Sequence, residues 1–177
     1  MSDLPHEIAE ERIRDAGLRG LNSLDLAGLG LTRLSQTVAQ LSRLEELHLQ
    51  GNNLASLPTW FGNLTALKVL DLASNRLKSL PDSFFRMSEL QDLNLADNML
   101  TEVPESISRL TVLEHLTLAH NRLSELSAAL RKLTSLKSLY LRGNRRVPLY
   151  TLRMSACSSN ICLGLWRSVP AFKFVRI

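Results

Sequence analysis

The sequence predicts an α/β repeat solenoid: a stack of short rows, each a strand followed by a helical turn, closed at its start by a helical cap. Three observations predict it. Leucine supplies 39 of 177 residues while aromatic residues make up 5%, and a core drawn so heavily from one residue type points to a repeated packing unit. The chain aligns with itself at a period of 23, in rows beginning at Leu21, Leu44, Leu67, Leu90, Leu113 and Leu136. Within each row the apolar spacing lengthens from two toward three, as backbone changes from strand to helical or 3₁₀ turn.

Residues 1–20 read as the N-terminal helical cap. Ser2 or Asp3 can cap a helix, Pro5 suits its first turn, and Glu7, Glu10 and Glu11 favour its positive end. Ala9, Ile13 and Ala16 fall on one face, and Gly17 and Gly20 are placed to end the helix. Such a cap covers the open end of the first row.

Residues 21–144 are the rows. Each carries Leu at positions 1, 4 and 6, as in Leu67, Leu70 and Leu72; two-residue spacing sends the last two to one face of a strand. Position 9 is Asn52, Asn75, Asn98, Asn121 and Asn144, with Leu29 in the first row. Positions 11, 14, 18 and 21 are apolar again, as in Leu54, Leu57, Phe61 and Leu64, and all 35 apolar slots of the five full rows are filled by apolar residues. Pro58, Pro81 and Pro104 stand at position 15, where a preset φ and a missing N–H suit the first residue of a helical turn. One row cannot bury its own leucines; stacked rows bury them against each other. The asparagines turn inward at the bend, where a ladder of amides can bond loop backbone of the adjacent row that would otherwise lack partners.

The pattern L-x-x-L-x-L-x-x-N-x-L over residues 21–144 resembles the leucine-rich repeat family. Its L-P-x-x-(aromatic or Ile)-x-x-L extension is similar to the intracellular 23-residue subclass found in Ras-signalling scaffolds and in the repeat regions of Roco-type GTPases. The resemblance implies a right-handed, curved solenoid with a parallel sheet on the concave side and short helices or 3₁₀ turns on the convex side.

After Asn144 the pattern stops, because position 11 is Arg146 and the spacing is lost in Arg145-Arg146-Val147-Pro148-Leu149. Residues 145–177 read as an irregular basic tail. Three readings stay open: an atypical C-terminal cap with Leu149 and Leu152 docking, a stretch read in a shifted frame, and a basic–aromatic segment carrying Trp166, Phe172, Phe174 and Ile177. Residues 1–125 hold 11 basic and 17 acidic side chains, and residues 126–177 hold 10 basic and none acidic. Mixed rather than sorted apolar and basic residues argue against interfacial membrane binding.

Little in the sequence speaks for chemistry. No apolar run is long enough to span a membrane, and the N-terminus does not read as a secretory signal. No P-loop follows the glycines Gly17, Gly20, Gly28 and Gly30. Cys157 and Cys162 have neither disulfide-framework nor zinc spacing, and an irregular tail offers Cys157 no base or binding groove. His115 and His120 are roughly 16 Å apart along an extended chain and His48 is three rows away, too far to share a metal or a proton.

The strand residues between the leucines are the candidate partner-binding surface. Position 5 reads Asp25, His48, Asp71, Asn94, Thr117 and Tyr140; position 3 contributes Glu46, Asp92 and His115, beside Ser23, Val69 and Ser138. With Glu45 and Glu114 at position 2 the middle of the face is expected to be acidic, and Arg76, Arg122 and Arg145 at position 10 form a basic margin. Trp60 is expected partly outside on the convex side, adjoined by Phe85. The reading is a cytoplasmic, monomeric, non-catalytic scaffold binding a protein partner in signalling or as an effector. It needs no cofactor or metal, and small-molecule, nucleic-acid and membrane partners are not expected. The alternative is the regulatory repeat fragment of a larger enzyme, such as a Roco-type GTPase or kinase.

Overall fold

The computed structural model describes residues 4–144 and 173–175. Helix α1 (Leu4–Arg19) precedes six strands, β1 (Ser23–Asp25), β2 (Glu46–His48), β3 (Val69–Asp71), β4 (Asp92–Asn94), β5 (His115–Thr117) and β6 (Ser138–Tyr140). These pair in chain order as one parallel sheet, in a register that sets Leu24, Leu47, Leu70, Leu93, Leu116 and Leu139 side by side. Five-residue 3₁₀ turns run opposite the strands, at Gln36–Gln40, Thr59–Asn63, Asp82–Arg86, Glu105–Arg109 and Ala128–Lys132. The result is a curved leucine-rich solenoid with the sheet inside the curve. All six strand leucines are buried in one continuous core that runs from Ala9 to Leu139.

The register follows from the repeat. Parallel strands with equal spacing in sequence can align only if each connection has equal length, and 23 residues serve a three-residue strand, a bend, a 3₁₀ turn and a return. The crossing bonds recur row by row: Leu26 N–H donates to His48 C=O at 2.8 Å, Leu49 to Asp71 at 2.8 Å, and Leu72 to Asn94 at 2.8 Å.

The asparagines close the bend. In Asn75 the side-chain oxygen accepts from Leu54 N–H at 3.0 Å, while its amide donates to Leu49 C=O of the preceding row at 2.9 Å and to Leu72 C=O of its own row at 3.1 Å. Asn52, Asn98, Asn121 and Asn144 make equivalent bonds, serving Leu31, Leu77, Leu100 and Leu123 N–H respectively. The first row has no preceding row whose backbone needs serving. Leu29 stands there instead and packs against the core.

One cap detail differs from the sequence expectation. Gly17 lies inside α1; only Gly20, at φ +61°, ends it, while Leu21 N–H reaches back to Ala16 C=O at 2.9 Å in a Schellman-type bond. Ser2 and Asp3, the expected helix caps, lie outside the described residues. Ala9, Ile13 and Ala16 are buried against the first row. Arg12 supplies what that row lacks: its guanidinium donates to Asp25 C=O at 2.8 Å, the acceptor that a preceding strand engages in later rows.

Pro58, Pro81 and Pro104 also fall one residue earlier than expected. Each precedes its 3₁₀ turn in extended backbone, with ψ of 156°, 149° and 159°. The carbonyl, rather than the missing N–H, is what the turn uses: Phe61, Phe84 and Ile107 N–H donate to Pro58, Pro81 and Pro104 C=O. In the first and fifth turns Ser35 and Ser127 occupy this position and accept from Thr37 and Ala129 N–H.

Another strand, β7 (Lys173–Val175), pairs in parallel with β6, with Phe174 opposite Leu139. It falls within the tail that the sequence reads as irregular.

Candidate protein-binding face

Each strand of β1–β5 buries its middle leucine and turns its two flanking residues outward, and β6 does so at Tyr140 alone. Parallel register converts those flanking residues into two columns. One runs Ser23, Glu46, Val69, Asp92, His115, Ser138; the other runs Asp25, His48, Asp71, Asn94, Thr117, Tyr140. At about 4.8 Å between strands, six strands span roughly 24 Å. The sequence-derived candidates therefore share one face, with Glu45 on its border.

Their environments are not alike. Asp25, Asp71 and Asn94 each turn one side-chain oxygen to their own backbone, accepting from Ala27, Ala73 and Ala96 N–H at 2.9, 2.9 and 3.1 Å. These short Asx bonds fix the exit from the strand, so the three residues have a structural duty as well as an outward atom. Glu46 lies 3.9 Å from the His48 imidazole. Asp92 donates its backbone N–H to Lys68 C=O at 2.9 Å, and its carboxylate has no hydrogen-bond or ion-pair partner among the described residues. His115 Nδ1 lies 2.6 Å from Ser138 Oγ. Ser138 itself is buried, unlike the open position the sequence suggests.

The border carries a correction. Glu45 and Glu114 do not add to an acidic centre, because each is neutralised by the lysine at the same position one row on. Lys68 Nζ stands 2.9 Å from Glu45, and Lys137 Nζ stands 2.5 Å from Glu114. The hydrogen bond that Lys68 donates to the Glu45 carboxylate, then that carboxylate's charge, hold the Lys68 amine above its ordinary pKa. Reading position 2 down the rows exposes this alternation: Glu45 then Lys68, Glu114 then Lys137. Arg76 and Arg122 are exposed beyond the sheet, and Arg145 lies outside the described residues.

On the convex side Trp60 is half-buried against the core, its ring 5.9 Å from Phe61. Phe85 is not beside it on the surface. It points inward, is 2% exposed and meets Phe84 edge-on at 5.4 Å. Phe61 and Phe84 stack at 6.1 Å between rows. Also convex is a polar cluster that the sequence reading missed: Asp82 accepts from Ser106 Oγ at 2.6 Å and from the Arg109 guanidinium at 3.2 Å. No described helix is long and apolar enough to cross a membrane.

A parallel sheet of leucine rows closed by an inward asparagine ladder defines a repeat protein with a broad, open strand face. The leucine rich repeat family profile matches residues 42–100, 65–123 and 100–145, more than half of the chain, and the chain belongs to that family. Among solved structures it is similar to a leucine-rich-repeat protein of Leptospira interrogans, at 35% identity and TM-score 0.66 over 70% of this chain and 32% of that one. It is also similar to the ectodomain of the Arabidopsis thaliana receptor kinase GASSHO1/SCHENGEN3, in complex with CASPARIAN STRIP INTEGRITY FACTOR 2, at 33% identity and TM-score 0.58 over 63% and 14%. A third similarity is to the plant peptide hormone receptor RGFR1 in complex with RGF2, at 29% identity and TM-score 0.61 over 70% and 21%. The chain thus spans less than a third of the length of each. No curated protein matches it.

Proposed function

We propose that this chain is a non-catalytic interaction module that takes a protein or peptide partner on the concave face of its sheet. The observation that carries the reading is the face itself: six strands in register, polar columns turned outward, and no other described element packed over them. Two of the similar structures are receptors in complex with a factor or peptide hormone, which supports a polypeptide as the partner class. The 23-residue rows with their L-P extension support a cytoplasmic setting in signalling or as an effector. Because the chain spans 32% of the Leptospira protein, the repeat region of a larger enzyme such as a Roco-type GTPase is the alternative. A GTPase or kinase domain in the same reading frame separates the two.

The test is steric. Asn94→Trp with Thr117→Trp places two large rings on adjacent strands at the middle of the face. Affinity capture followed by mass spectrometry is expected to recover a protein with the native chain that the double variant fails to retain. The same proteins retained by both would remove the concave face as the binding site.

A further inference from the structure

We infer that the concave face takes a cationic, extended segment of its partner, seated across β1–β4; the inference rests on the concave face being the binding site. The carboxylates left on that face after internal pairing are Asp25, Glu46, Asp71 and Asp92. They are not a patch but a zigzag. Asp25 and Asp71 stand in one column, Glu46 and Asp92 in the other, so that one carboxylate comes from each of four consecutive strands on alternating sides. Strand spacing of about 4.8 Å and two residues at about 3.3 Å put successive carboxylates roughly 8 Å apart.

That arrangement has a complement. The side chains of an extended chain leave alternately to opposite sides, and a run of lysines or arginines laid along the solenoid axis offers cations left and right in turn. Their long stems absorb the difference between the peptide's step and the strand spacing. A helix would present its charges along one stripe instead.

The remaining charges on the face bound the segment. Lys68 and Lys137 are held by Glu45 and Glu114 and leave the zigzag unneutralised. His48 faces Glu46 at 3.9 Å and is the one titratable neighbour within the columns of β1–β4. Beyond β4 the columns carry no carboxylate: His115, Thr117, Ser138 and Tyr140 follow, and then Arg142 beyond the sheet. A cationic segment is therefore attracted over β1–β4 and gains nothing further along. Opposed charges of this kind set partner choice and on-rate.

The test uses the full chain and a defined probe, a fluorescein-labelled tetralysine peptide with an amidated C-terminus, read by fluorescence anisotropy at low salt. Glu46→Gln, Asp71→Asn and Asp92→Asn are combined. Asn at 71 keeps an oxygen for Ala73 N–H, so the strand exit survives. The control combines Glu102→Gln, Glu105→Gln and Glu125→Gln, an equal charge change at exposed residues outside the strands. The concave triple is expected to weaken probe binding about ten-fold, and the control less than two-fold. Equal effects of the two triples, no measurable probe binding, or equal binding of a tetraglutamate probe would each overturn the inference. A partner lost with the tryptophan pair but kept by the concave triple would sink the cationic ligand and leave the interaction face standing. A partner kept by both would sink the face as well.

Discussion

At row position 8 the backbone passes through the left-handed region in every row. Gly28, Gly51 and Gly143 do so at φ of 66° to 76°, and Ser74, Asp97 and His120 do so at 53°. For a side-chain-bearing residue that conformation costs about 1–2 kcal/mol. Ser74→Gly removes the strain but frees the unfolded chain by about 0.5–1 kcal/mol, so its midpoint in urea should barely move. Gly143→Ala is a different case. Besides its positive φ, a Cβ there would collide with the His120 ring, and a loss of about 2 kcal/mol is expected. Adding His120→Gly should recover part of that loss; strict additivity in a double-mutant cycle would rule out the ring as the cause. Asn98→Ala strands Leu77 N–H and takes one of two asparagine donors from the Leu72 and Leu95 carbonyls, which keep Asn75 and Asn121, and should cost about 2 kcal/mol by the same denaturation measurement.

Asp82 gives a pH prediction. The Ser106 hydroxyl first, and the Arg109 guanidinium second, hold its carboxyl below the usual carboxylate range. A folded-state value below the unfolded one means that its stabilisation is complete above about pH 3.9 and is lost as pH falls through the folded value. An NMR titration of the Asp82 carboxyl should show it ionising below the usual carboxylate range. In Ser106→Ala the midpoint should rise toward the ordinary value. A midpoint unmoved by that substitution would assign the depression to the arginines, Arg109 and then Arg86.

At the scale of elements, the rows are held at two unequal kinds of joint. Strand joints repeat identically, whereas turn joints are individual. Between the Thr59–Asn63 and Asp82–Arg86 turns, Gly62 lies so near Ser83 that an added Cβ would overlap its backbone carbonyl. Backbone cannot swing aside as a side-chain end can, so Gly62→Ala is expected to cost about 3 kcal/mol although Gly62 has no positive φ. Calorimetry that found this variant as stable as the native chain would show that the two turns can separate freely. None of this was legible in the sequence, where Gly62, Phe85 and Ser108 share row position 19 without a common character. The strand joints were legible because identical leucines and asparagines recur at fixed spacing, and identical residues at fixed spacing must meet. The Glu45–Lys68 and Glu114–Lys137 pairs lay between these cases: visible in one column, but only when position 2 is read down the rows rather than along one. The Asx bonds of Asp25, Asp71 and Asn94 were hidden for another reason, since the same outward position carries His48, Thr117 and Tyr140 without such a bond.

At the scale of the molecule, stability is shared between neighbouring rows, so the same substitution should act differently along the axis. Leu24 in β1 and Leu93 in β4 hold the same row position and are 4% and 2% exposed. Leu93 has a strand on each side; Leu24 has β2 on one side and the cap helix on the other. Leu93→Ala opens a cavity at the centre of the stack, should cost about 3 kcal/mol, and breaks the continuity through which the two ends support each other. Its unfolding by urea should become shallower or divide into two phases. Leu24→Ala removes the same atoms from the end of the stack and should loosen α1 and the first row alone. Amide exchange then separates the two: in Leu24→Ala the Leu95 and Leu118 amides, bonded to Thr117 and Tyr140 carbonyls in the later rows, should keep their protection while Leu26 loses it. Equal loss of protection at all three amides in both variants would mean that the rows melt as one unit, and that stacking is cooperative beyond nearest neighbours.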